Sequence, residues 1–210
     1  MKNLSFAVAG TLALVATYPS PVLADSTAPS FYAGAFAGAD FFHGSITDGV
    51  PNTYDYDGTR GDVGFLAGVR LQQGDWFYGG EFDASLSYGS NIDKVGVGGC
   101  DNTGLMADWC DDKGSLHARA ILGRSFDKVD IFAAAGLAGA FLKYDGLGGT
   151  ESATLWGYSL GVGAEFHVND KVSLRFEGLH DEFSRHTFND GYNGKWRQNT
   201  VRAGAIFHFN

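Results

Sequence analysis

His180, Glu182 and Ser184 bring together an imidazole, a carboxylate and a hydroxyl, the residue types of a hydrolytic relay. Their spacing is i, i+2, i+4, so on a strand they share one face. Neighbours on such a face stand about 6.5–7 Å apart, whereas a relay needs contacts of about 3 Å. The spacing therefore suits polar side chains at the rim of a sheet, and no catalytic residue is expected. His180 and His186 read as ordinary rim histidines, and no metal ligand set or cofactor is expected.

A second set of chemically able residues is scattered but periodic. Asp40, Glu81, Asp83, Glu165 and Glu177 oppose Arg70, Arg119, Arg175 and Arg202, with His117 nearby. Each occurs where apolar and polar residues alternate, and each falls on the face opposite the apolar one. Mixed charges on one enclosed face can line a narrow polar pore. They can also neutralise one another and fill the space, because buried charges require partners. The filled arrangement is expected if the enclosing sheet is narrow. Asp48, Asp55, Asp57, Asp93, Asp101, Asp108, Asp111 and Asp112 make the connecting segments acidic. They match no twelve-residue calcium loop and are read as solvated.

These charges need strands to position them. Val201, Ala203, Ala205, Phe207 and Phe209 alternate with Arg202, Gly204, Ile206 and His208 at the end of the chain. Similar alternation runs through Phe31–Phe41, Asp62–Leu71, Trp76–Tyr88, Leu116–Phe126, Ala153–Val168 and Val172–Arg185. Ile131–Tyr144 is apolar on both sides and its faces cannot be assigned. The count is eight strands. Short turns at Gln72–Asp75, Asp127–Asp130 and Asn169–Lys171 alternate with long polar connections. An even number of strands with apolar outer and charge-bearing inner faces, joined alternately by short turns and long loops, describes an antiparallel transmembrane β-barrel. The glycine pairs Gly34/Gly38, Gly64/Gly68 and Gly157/Gly161 lie on the charged face, where they leave room for long side chains. Aromatic belts are expected from Trp76, Tyr78, Phe126, Phe132, Phe166, Phe207 and Phe209 near the short turns. Tyr88, Phe141, Tyr144, Trp156 and Tyr158 would form the belt near the long loops.

Residues 1–24 have the layout of a secretion signal. Lys2 is followed by an apolar run from Leu4 to Tyr18, then by prolines and Val22-Leu23-Ala24 with small residues for cleavage. Residues 25–210 would then form one barrel domain. Export leads Cys100 and Cys110 into an oxidising compartment, so a local disulfide is expected. The net charge of −9 argues against nucleic acid as a partner.

Phe31-Tyr32-Ala33-Gly34, Ser173-Leu174-Arg175-Phe176-Glu177-Gly178 and Val201-Arg202-Ala203-Gly204 resemble segments of the porin-family outer-membrane β-barrels. The resemblance covers Phe31 to Phe209, and the group is the small eight-stranded one with OmpA-like, OmpX-like and surface-antigen members. It implies an outer-membrane protein in contact with lipid and lipopolysaccharide, delivered by export and barrel-insertion machinery. The role expected is non-catalytic: structural, or surface-exposed with loops that contact an unidentified ligand or host. A small-solute porin is the alternative, and a lipid-modifying enzyme the third.

Overall fold

The computed structural model describes residues 28–47, 53–94, 111–146, 149–187 and 193–209. Residues 1–24 and the pair Cys100 and Cys110 lie outside them. The chain forms β1 (Ser30–Thr47), β2 (Thr53–Gln73), β3 (Trp76–Lys94), β4 (Asp111–Phe126) and β5 (Val129–Gly146). It continues through β6 (Gly149–Asn169), β7 (Val172–Phe183), the two-residue β8 (His186–Thr187) and β9 (Asn193–Phe209). Each long strand pairs antiparallel with the next, and β1 pairs with β9 along its whole length, from Phe31↔Phe209 to Thr47↔Asn193. Eight long strands thus close into a barrel, and through the apolar band each is paired on both sides.

The turns follow from local chemistry. Gly74 at φ 60° and Asp127 at φ 50° supply the left-handed backbone that two-residue hairpins require. The Asn169 side-chain oxygen accepts from the amides of Lys171 and Val172 at 2.9 and 3.0 Å. Neighbouring hairpins are also tied together at this end. The amides of Ser125, His167 and His208 donate to the carbonyls of Asp75, Lys128 and Lys171 at 2.7–3.0 Å. At the opposite end the strands run on past the apolar zone. β1 and β2 stay paired to Thr47↔Thr53, and β5 and β6 to Gly146↔Gly149, so much of the polar sequence there is strand.

The outer wall is apolar and bare. Phe65 is 75% exposed, Leu86 68% and Val162 67%. On β1 the outward residues run from Phe31 through alanines to Phe41, before His43 and Ser45 turn the face polar. Eleven residues of tilted strand is the length that crosses a bilayer. The faces of β5, unassignable from sequence, are now clear: Phe132, Ala134 and Ala138 are buried in the lumen while Ile131 and Leu137 face outward. Phe132 is therefore a lumen residue and not part of the aromatic belt near the short turns. Trp76, Tyr78, Phe126, Phe166, Phe207 and Phe209 do face outward at that end.

Candidate functional site

The lumen is built in stacked layers that start with glycine. Gly58, Gly64, Gly68, Gly123 and Gly163 each lie beneath an aromatic ring from an adjacent strand. The rings belong to Phe42, Phe36, Tyr32, Phe77 and Phe132 in that order, and a Cβ on each glycine would stand 2.2–2.5 Å from the ring. Guanidiniums form the next layer. Arg60 lies 4.9 Å from the Phe42 centroid, Arg202 4.2 Å from Phe36, Arg70 5.0 Å from Phe77 and Arg175 4.9 Å from Phe132. The inward glycines thus chiefly seat rings. Gly38 does make room for charge, since a Cβ there would meet Asp62 Oδ1 at 2.7 Å, and one at Gly161 would meet Leu179 at 2.7 Å and Arg119 Nη1 at 3.2 Å.

The guanidiniums converge on the predicted carboxylates. Arg119 donates to Glu177 and Glu81 at 2.6 Å and to Asp83 at 2.9 Å. Arg202 donates through Nε to Glu177 at 2.9 Å and through both terminal nitrogens to Asp83 at 3.1–3.2 Å. Arg175 donates to Glu165 Oε2 at 2.8 and 3.0 Å and also to Glu81. Tyr32 donates to Glu81 at 2.9 Å. His117 bridges Asp83 at 2.7 Å and Asp181 at 3.3 Å. Seven of the residues singled out from sequence therefore meet in one network: Glu81, Asp83, Arg119, Glu165, Arg175, Glu177 and Arg202. All seven are buried.

The other two join separate clusters. Arg70 pairs with Asp130 at 2.8 Å near the short turns. Asp40 pairs with Arg60 at 3.1 Å and accepts from Thr200 at 2.7 Å toward the other end. Sequence reasoning missed Arg60, Asp62, Asp130 and Asp181. Arg60 lies outside the predicted strands and Asp130 in a predicted turn, whereas Asp62 and Asp181 lie within predicted strands. Parity was the available signal for Arg60, Asp62 and Asp181, because each continues the inward face of its strand, whereas on β5 it offered none for Asp130. Among the described residues the lumen holds eight carboxyls and five guanidiniums, with His117, His167 and His208 as its imidazoles.

His180 and Glu182 of β7 face away from the lumen and are bound elsewhere. His180 Nδ1 lies 2.8 Å from Asn199, and Glu182 accepts from Tyr158 at 2.6 Å and from Lys195 at 2.8 Å. Ser184 follows the end of β7, and its amide donates to the Trp156 carbonyl at 2.9 Å. The three form no hydrogen-bonded relay. Asp57, one of the acidic residues of the connections, pairs with His43 at 2.8 Å on the outer wall.

Residues 10–209 match the family model for the outer membrane protein beta-barrel domain. A 22 kDa outer membrane protein of Rhizobium leguminosarum bv. viciae is 28% identical over 189 residues, covering 87% of this chain and 82% of the relative. The crystal structure of Neisserial surface protein A is similar at 15% identity and a TM-score of 0.48, covering 87% of this chain and 100% of that one. Ail, the attachment invasion locus protein of Yersinia pestis, is similar at 14% identity and a TM-score of 0.47, covering 85% and 98%. With the family model spanning nearly the whole sequence, the chain belongs to the outer-membrane β-barrel family, and the outer membrane is its location.

Proposed function

We propose that this protein is a non-conducting, non-catalytic barrel whose role is structural and surface-directed. The observation that carries this reading is the buried network of Arg119, Arg175 and Arg202 with Glu81, Asp83, Glu165 and Glu177. An eight-stranded barrel is just wide enough for side chains to fill it. Here rings and ion pairs occupy the cross-section, so a hydrated solute has no continuous path. The short turns face the periplasm and the longer hairpins face outward, as in bacterial barrels generally. The strands beyond the apolar band, with His43, Asp57, Lys195 and Glu182 on their outer wall, carry the hairpins clear of the lipid. These hairpins are the surface for a ligand or host contact, and the outer wall below them meets lipid and lipopolysaccharide.

Conductance in planar bilayers tests the plug. The refolded protein is expected to give no steady openings. Large channels whose conductance rises in proportion to salt would overturn the reading and make the protein a porin. An epitope inserted between Thr47 and Thr53 should bind antibody on intact cells. An epitope reached only after permeabilisation would place that end of the barrel in the periplasm.

A further inference from the structure

Near the short turns, two histidines outside the plug converge on Glu165, whose second carboxylate oxygen the plug leaves over. Glu165 and His167 are two residues apart on the inner face of β6, and His208 reaches them from β9. One ligand atom from each, an imidazole nitrogen or a carboxylate oxygen, lies within 4.8 Å of the other two. Ser173 on the intervening β7 marks the point of convergence. Its hydroxyl lies 2.9 Å from His167 Nδ1 and 3.0 Å from His208 Nε2. A serine hydroxyl has one proton and can donate to only one of these nitrogens.

The carboxylate is set in the same way. Arg175 takes Glu165 Oε2 with two N–H groups, which leaves Oε1 turned toward the histidines. Glu165 Oε1 is buried and accepts no well-directed hydrogen bond, although His208 Nε2 is only 3.0 Å away. A carboxylate oxygen and an imidazole nitrogen at that separation are spaced nearly as two ligands of one ion are. A further carboxylate orients the half-exposed histidine. Asp130 lies 3.0 Å from His167 Nε2, and accepting a proton there leaves the Nδ1 lone pair facing inward. Carboxylate-bound histidines are the usual outer partners of metal sites.

We propose that Glu165, His167 and His208 form a binding site for a divalent transition-metal ion of the Zn²⁺ class at the periplasmic mouth of the barrel. Two imidazoles and one carboxylate oxygen are a donor set that zinc accepts, at distances of about 2.0–2.2 Å. Tetrahedral ligands then stand about 3.3–3.5 Å apart, so the 3.0 Å pair opens slightly and the His167 ring swings inward. Ser173 or a solvent oxygen completes the fourth position. His167, with 27% of its side chain exposed, provides the entry path, while Glu165 and His208 are almost closed off. Charge favours the ion as well. Five guanidiniums against eight carboxyls leave negative charge in the lumen to be balanced by imidazolium, carboxyl protonation or a bound cation.

Calorimetric titration of Zn²⁺ into the full protein in zwitterionic-lipid vesicles tests the site, with Co²⁺ visible absorption as a second readout of ligand geometry. One ion per chain is expected, with binding lost in His208→Asn and in His167→Ala. Asp130→Asn should weaken binding by roughly 10–100-fold, as the loss of an orienting partner does. His180→Ala, at the opposite end on the outer wall, should leave it unchanged. Heat-modifiable gel mobility reports whether each variant keeps its barrel. His167 is the most exposed of the three ligands, so His167→Ala is the variant that decides if His208→Asn does not fold. Failure of the wild type to bind Zn²⁺, or full binding by a folded His167→Ala variant, would overturn the proposal.

Discussion

Arg119 stands where three carboxylates meet, 2.6–2.9 Å from Glu81, Asp83 and Glu177. Buried ion pairs are weak evidence of net stability, because desolvation consumes much of the attraction. Removing one partner is different, since the charges left behind have no water to turn to. Arg119→Met should therefore destabilise the barrel by about 3–5 kcal/mol in vesicle-based urea unfolding. A change below 1 kcal/mol would mean that water reaches the network. The glycine seats make a second residue-scale prediction. Gly163→Ala would place a Cβ 2.4 Å from the Phe132 ring and 2.9 Å from the Phe176 carbonyl oxygen, whereas at Gly178 nothing lies within 4 Å. Overpacking should make Gly163→Ala about 1–3 kcal/mol less stable. Gly178→Ala should be neutral or slightly stabilising, through the reduced freedom of its unfolded chain. Equal effects would show that the ring-over-glycine layers do not constrain the lumen.

Each strand must satisfy two solvents at once, lipid on one face and a packed polar lumen on the other. On β6, Val162 is 67% exposed on the outer wall while Ser159 is fully buried inside. Val162→Arg should cost about 2–4 kcal/mol of folding free energy in bilayers, the depth-dependent penalty for a charge facing lipid. The same change at Trp156, closer to the loop end of β6, should cost less. A reversed order would displace the apolar band along the strand. The connection from β3 to β4 carries Cys100 and Cys110, for which a disulfide remains our proposal. If the bond is there, mass spectrometry of the exported protein finds no free thiol. Reduction should then alter only the hairpin and leave the heat-modifiability of the barrel unchanged.

Closure is a property of the whole molecule. β1 must recognise β9 across most of the chain length, and their register aligns Ala37 with Ala203 on the lipid-facing wall. A double variant, Ala37→Cys with Ala203→Cys, should crosslink under mild oxidant in membranes. Ala37→Cys with Phe207→Cys should not, because four residues of strand rise separate the positions by about 13 Å. Crosslinking in the second pair alone would mean that the seam had slipped. Slippage by a single residue would turn every lumen charge of β9 toward lipid, so the pattern on the two faces specifies the register strongly.

The alternation of residue types determined which strands form, which face each presents and hence the class of fold. That information is local: a period of two is written into Phe31–Phe41, Val172–Phe183 and Val201–Phe209 without reference to any partner strand. It also identified most of the charged residues that meet in the lumen, because parity separates inner from outer positions. Parity could not assign β5, where alanine and glycine on both faces erase the contrast. Nor could it show how far the strands continue through Gly- and Asp-rich segments, which pair only because the adjoining strand holds them. Which carboxylate meets which guanidinium was decided by register and closure, which bring Arg202 of β9 to Asp83 of β3 across the lumen. The layering of glycine, ring and guanidinium depends on cross-strand neighbours in the same way. So does the approach of His208 to Glu165 and His167, which the registers of β6 on β7 and of β7 on β9 decide.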